Sequence, residues 1–215
     1  LAEVLVTIGI IGVVSAMTVP SLIQNYQKQS YVAQLHKVYN EVQQAALRYQ
    51  TDNNALDLKE AGLVNQTAVN NWVKNYFKVI QDCGTDYKGC FADDYRRMNG
   101  ISKGALLRDT NFSKFTLANG ASIGVKARTN AKTSVYVDIN GLKGPNIIGR
   151  DLFPLILYKN GLLDESDGSE DNDTLTAPLT AEKREEIYNQ YCNSQTGYWW
   201  GCFGKILNDN WQMNY

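Results

Sequence analysis

Glu3 is the first residue in this chain with chemistry to offer, because it is a lone carboxylate inside the apolar run LAEVLVTIGIIGVVSAMTVP. After it no charged residue appears until Lys28. Twenty apolar residues wound as a helix span about 30 Å, the thickness of a bilayer core. A single carboxylate held there costs roughly 2–3 kcal/mol or more. Its chemistry is therefore ion pairing, and it needs a counter-charge from a partner. A secretory signal peptide opens on basic residues, then a shorter apolar core and a small-residue cleavage site. None of these stands here, and the segment reads as a retained membrane helix.

Four cysteines form two sequence-local pairs, Cys83 with Cys90 and Cys192 with Cys202. Six and nine residues separate the partners, spacings that suit neither a CxxC redox site nor a tight zinc knuckle. A head carried beyond the membrane lies where thiols oxidise, so disulfides are the natural reading, with buried free thiols as the bland one. Three connectivities are open, of which the two local pairs are the simplest. Each local bridge closes a short loop and contributes about 2.5–3 kcal/mol in the chain-entropy model.

Carboxylates gather in two further places. The tract DESDGSEDND, residues 164 to 173, holds six acids in ten residues and no base. Outside it 21 basic residues face 16 acidic ones, a formal +5, so this tract sets the overall charge of −1. Composition alone reads it as a solvated, mobile insertion. The stretch VDINGLKGPNIIGRDLF, residues 137 to 153, offers Asp138, Asn140 and Asp151 as oxygen donors for calcium. It lacks the EF-hand spacing and closing Glu, so a turn held by Asx hydrogen bonds and positive-φ glycines is favoured. The near-neutral net charge argues against a general polyanion binder, and no specific nucleic acid is expected.

The elements that position these groups follow from periodicity. Residues 1–27 form the hydrophobic helix and 28–215 the head. From Ser21 to about Gln50, Leu22, Ile23, Tyr26, Val32, Leu35, Val38, Val42, Ala45, Ala46 and Tyr49 recur at helical spacing, so the hydrophobic helix continues into an amphipathic half at 28–50. Pro20 removes a backbone donor, so a kink or loosening is expected near Thr18 to Ser21. Residues 51–112 form a long connection, with short helices expected at Lys59 to Gly62 and Val69 to Ile80. Residues 113–163 carry the strand signals Phe115 to Leu117, Ser122 to Lys126, Thr133 to Ile139 and Leu152 to Tyr158. Asn119–Gly120, Asn140–Gly141 and Asn160–Gly161 mark their turns. Three or four antiparallel strands after a long helix give an α+β class.

Residues 164–215 form a C-terminal region bounded by Cys192 and Cys202 and expected to be mostly irregular. Its aromatic residues Tyr191, Tyr198, Trp199, Trp200, Phe203, Trp211 and Tyr215 read as packing rather than as an exposed adhesive patch. The lone His36 lies on the polar side of the long helix, as a solvated or interface histidine. Asn65, Asn111 and Asn172 open N-x-[ST] triplets, which are weak glycan signals.

The first fifty residues resemble the mature N-terminus of type IV pilins and type II secretion pseudopilins. The resemblance rests on Glu3 and Pro20, seventeen residues apart, with Gly9 and Gly12 between them in an apolar helix. It implies two residues ahead of Leu1, an N-methylated aromatic start, and a leader removed by prepilin peptidase. It further implies the pilin fold, a long helix on a small antiparallel sheet, and loss of helicity between glycine and proline on assembly. Type IV pilins share a C-terminal disulfide-bounded region, and stretches like 137–153 occur in pilin-like proteins. Some pseudopilins bind calcium in C-terminal loops, which makes Asp164, Asp167, Asp171 and Asp173 candidate ligands.

The function implied by that resemblance is a structural subunit of a type IV pilus, a helical homopolymer whose apolar helices share a core while the heads face outward. Assembly residues would be Glu3, Gly9, Gly12 and Pro20, with Glu3 paired to a neighbour's N-terminal ammonium. Partners would be the bilayer before assembly, prepilin peptidase and the inner-membrane pilus or secretion machinery. The subunit would begin as a single-pass inner-membrane precursor and end in an extracellular filament. A pseudopilin of a secretion or DNA-uptake machine, in a periplasmic pseudopilus, is the alternative. A membrane-anchored enzyme or binding domain is the remote one, for no nucleophile elbow, phosphate loop, HExxH helix or cofactor fingerprint is present. No catalytic residue and no resident cofactor are expected, calcium aside.

Overall fold

The computed structural model describes residues 2–104, 106–166, 176–193 and 200–215, with the backbone alone for Ala2, Glu3, Leu5 and Leu106. A long N-terminal helix packs on a small antiparallel six-stranded sheet, an α+β architecture. Helix α1 runs from Ala2 to Asp52, 51 residues and about 76 Å at the standard rise. Its two halves live differently. Val32, Leu35, Val38, Val42, Ala45 and Ala46, spaced at three and four, are buried in the head. The half before Gln27 touches nothing that covers it, and Met17 is 74% exposed.

Pro20 lies inside α1, which continues through it as α-helix. The expected loosening near Thr18 to Ser21 does not take the form of a break in the helix. One proline removes one donor and leaves the neighbouring hydrogen bonds in place. Thr18 Oγ1 donates back to the Val14 carbonyl at 2.9 Å in the same stretch.

Helix α2 spans Gln66–Tyr76 and is displaced from the expected 69–80 at both ends. Asn65 caps its start, accepting the Ala68 N–H on Oδ1 at 2.9 Å. At Phe77 the backbone turns extended, and Val79 and Ile80 enter a strand instead. The expected helix at Lys59 to Gly62 is a turn, closed where Gly62 takes φ +90°. Trp72 on α2 is buried and donates its indole N–H to the Ala45 carbonyl at 3.2 Å, locking α2 onto α1.

Strands β1 (Val79–Gly84), β2 (Ser113–Leu117), β3 (Ser122–Ala127), β4 (Thr133–Asp138), β5 (Leu152–Leu157) and β6 (Leu163–Asp164) lie in chain order, each antiparallel to the next. The four expected strands are the central ones. The two additional strands are edges: β1 is mostly exposed and β6 is two residues long. Asn119–Gly120 and Asn160–Gly161 turn the chain at β2–β3 and β5–β6, with both glycines at positive φ.

One sheet face carries Phe115, Ile123, Val135, Phe153 and Leu155 against α1 and α2, forming the main core with Phe203 and Ile206. A second cluster of Phe91, Tyr95, Leu107, Phe112 and Ile148 is built largely from the 85–112 connection. Gly124 on β3 admits it, since a Cβ there would lie 2.9 Å from the Leu107 side chain.

The C-terminal region is more ordered than expected. Helices α3 (Ala181–Ile187) and α4 (Cys202–Asn208) flank a wide helical turn at Tyr188–Cys192. Thr180 caps α3, accepting the Lys183 N–H at 3.1 Å. Seven-residue helices carry too little periodicity to be seen in sequence, and tertiary packing of Ile187, Phe203 and Ile206 holds them.

Candidate functional site

The first half of α1 is the largest uncommitted surface of the molecule. Val6, Ile8, Ile10, Ile11, Val13, Val14, Met17, Leu22 and Ile23 are all exposed. This helix is long and apolar enough to cross a membrane, and its most apolar stretch has no residue buried within the protein. Exposed apolar area on this scale marks contact with a membrane or another protein. Gly9 and Gly12 lie on it, and a Cβ built at either meets nothing within 4 Å. The chain itself gives those glycines no steric reason. Small residues in apolar helices let a second backbone approach closely. Glu3 lies in the first turn of α1, where an acidic residue is favoured by the helix dipole.

Both local cysteine pairings are formed, Cys83–Cys90 and Cys192–Cys202. The first ties the edge strand β1 to the 85–112 connection, with Cys90 buried beside Phe91 and Tyr95. The second joins the turn after α3 to the first residue of α4, at buried positions.

The acidic tract divides. Asp167, Asp171 and Asp173 lie outside the described residues. Asp164 is buried on β6, where Arg184 of α3 donates Nε to Oδ1 at 2.8 Å and Nη2 to Oδ2 at 2.6 Å. The Leu179 N–H also donates to Oδ2 at 2.8 Å. A calcium ion at Asp164 would have to compete with a bidentate guanidinium. Among the described residues no group of three or more His, Cys, Asp or Glu side chains is arranged to hold a metal ion.

Glu165 corrects the reading of the tract as solvated throughout. It is fully buried, its Oε2 accepting the Gly204 N–H and its Oε1 the Ser166 N–H, both at 3.0 Å. Burial pushes its carboxyl up to about 7, against the pull of those backbone donors. Nothing in a run of acids distinguishes the two that turn inward. The one local signal was Leu163, the apolar residue just ahead of them, which is buried on β6.

The 137–153 stretch forms the expected turn. Asp138 Oδ1 accepts the Asn140 N–H at 3.2 Å, and Asp151 accepts the Asn146 and Ile147 N–H groups. Gly141 takes φ +64°. Tyr95 donates its hydroxyl to Asp138 Oδ2 at 2.5 Å across the second core cluster. Burial raises both carboxyls, that of Asp138 to about 8.

His36 stacks on Trp211 with ring centroids 4.0 Å apart, so it is an interface histidine between α1 and the C-terminal tail. Phe203, Trp211 and Tyr215 pack against the protein as expected. Trp200 sets its ring edge toward Tyr136 at 6.0 Å, while Tyr198 and Trp199 lie outside the described residues. Asn65 is used as a helix cap and Asn111 donates to Asp109 at 2.7 Å. Asn172 falls outside the described residues.

Comparison with protein-family models, curated proteins and solved structures gives no match to this chain.

Proposed function

We propose that the chain is a structural filament subunit of the type IV pilin kind, which polymerises through the first half of α1 and displays the head outward. The observation that carries this reading is the division of one continuous helix. Its second half is built into the head, and its first half presents apolar side chains to no partner within the molecule. A free subunit cannot leave that surface in water. A bilayer covers it before assembly and neighbouring helices cover it afterwards. In this reading Glu3 pairs with a neighbour's N-terminal ammonium, and Gly9 and Gly12 allow the helices to close together. The subunit is first anchored in the inner membrane and processed by prepilin peptidase. The pilus or secretion machinery then extracts it into a pilus or a pseudopilus.

Glu3→Ala tests the pairing. An unpaired carboxylate in an apolar core is costly, and a paired one fixes register. The variant head should fold normally, with unchanged melting of the sheet, while incorporation into filaments falls at least about tenfold, the ratio that 1.4 kcal/mol gives. Normal filament yield would sink the assignment of Glu3.

A further inference from the structure

A groove of about 640 Å³ opens between α1 and the C-terminal tail at the foot of the head, where the apolar half of α1 ends. Asn25, Lys28, Gln29 and Gln212 line it beside Val32 and Met213, and so do His36 and Trp211, which stack on each other. Its lining holds no acid. Along α1 no acidic residue stands between Glu3 and Glu41, while Lys28 and Lys37 do. Lys28 is partly buried, and among the described residues it makes no ion pair.

We infer that this groove binds the phosphate of an anionic phospholipid headgroup while the subunit is held in a bilayer. The inference rests on the proposed membrane-anchored stage, and helix geometry fixes the depth. With Val4 to Ile23 filling a 30 Å hydrocarbon core, Asn25 lies about 3 Å and Gln29 about 9 Å beyond its edge at 1.5 Å per residue. The headgroup layer is about 5–8 Å thick on each side. Asn25 and Lys28, about 3 and 7.5 Å out, therefore meet phosphates, with Gln29 just past the layer's outer limit, while His36, about 20 Å out, does not. One groove lined by a lysine and by the amide side chains of Asn25, Gln29 and Gln212 offers the donors a phosphodiester needs.

The test uses the full chain in phosphatidylcholine nanodiscs containing either no phosphatidylglycerol or about a third, with co-purifying lipid counted by native mass spectrometry. Wild type should retain phosphatidylglycerol over phosphatidylcholine by about fivefold or more, the ratio expected for one lysine at a membrane surface. Lys28→Gln should abolish that preference, while Lys37→Gln, about two and a half turns farther along α1 and outside the groove lining, should keep it. Equal losses in the two variants would mean diffuse attraction and overturn the site. Displacement of the lipid by millimolar inorganic phosphate would mean a free-anion site and overturn it too. A chain that inserts but shows no preference contradicts the headgroup site alone. A chain that fails to enter the nanodisc contradicts the membrane-anchored reading as well.

Discussion

Arg184 holds Asp164 through both carboxylate oxygens, at 2.8 and 2.6 Å, and so fastens α3 to the last strand of the sheet. Asp164 is 1% exposed and Arg184 15%, so the pair is almost wholly out of water. Removing one partner of such a pair strands a buried charge and costs about 3–5 kcal/mol. Arg184→Ala should therefore lower the urea midpoint of the head sharply, with α3 lost first. Asp164→Leu combined with Arg184→Met should be milder than Arg184→Ala alone, because neither charge is stranded. A double variant as unstable as the single one would contradict this account of the pair.

Asp138 gives a pH dependence of known sign. Its carboxyl titrates near 8 in the folded protein because burial disfavours the charged form, against about 3.9 in an unfolded chain. Between those values the unfolded chain has released a proton that the folded one keeps. Its contribution is full below about pH 4 and is lost as pH rises toward 8. Asp138→Asn removes this titration. Relative to wild type, the variant should gain stability from pH 4 to pH 8, on the order of a few kcal/mol. Parallel curves of melting temperature against pH for the two proteins would show that Asp138 does not titrate in this window.

The Cys192–Cys202 bridge joins the turn after α3 to the start of α4. Cys202→Ser should cost about 2.5–3 kcal/mol from loop closure alone. It should open the chain to protease between Tyr188 and Cys202 while leaving α1 helical. Peptide mapping without reductant checks the pairing directly: a Cys83–Cys202 crosslink, or free thiols, would refute it.

The sequence made the centre of the sheet legible because β2, β3 and β4 alternate, β5 is a short apolar run, and Asn–Gly pairs follow β2, β4 and β5. It hid β1, whose Gln81 and Asp82 are exposed on an edge and carry no alternating pattern. It hid α3 and α4 because seven residues make barely two turns, and their stability comes from contacts distant in sequence. Pro20 was a sound warning of a lost donor, yet a single loss does not interrupt so long a helix. The buried acids were the least legible. Asp138, Asp164 and Glu165 look like surface residues by type, and only Tyr95, Arg184 and the Gly204 N–H, brought from elsewhere, explain their burial. The proposed assembly residues Glu3, Gly9, Gly12 and Pro20, by contrast, lie in one local segment, so the proposal about them needs only local spacing.

Polymerisation through α1 is most directly tested by electron microscopy of material sheared from the surface of cells that make this chain, with intact-mass identification of the subunit. The account predicts thin filaments composed of this polypeptide, with α1 in a common core, two cysteine bridges intact and the head outward. Finding the chain only as a dispersed membrane protein, with neither filaments nor a periplasmic polymer containing it, would contradict the account.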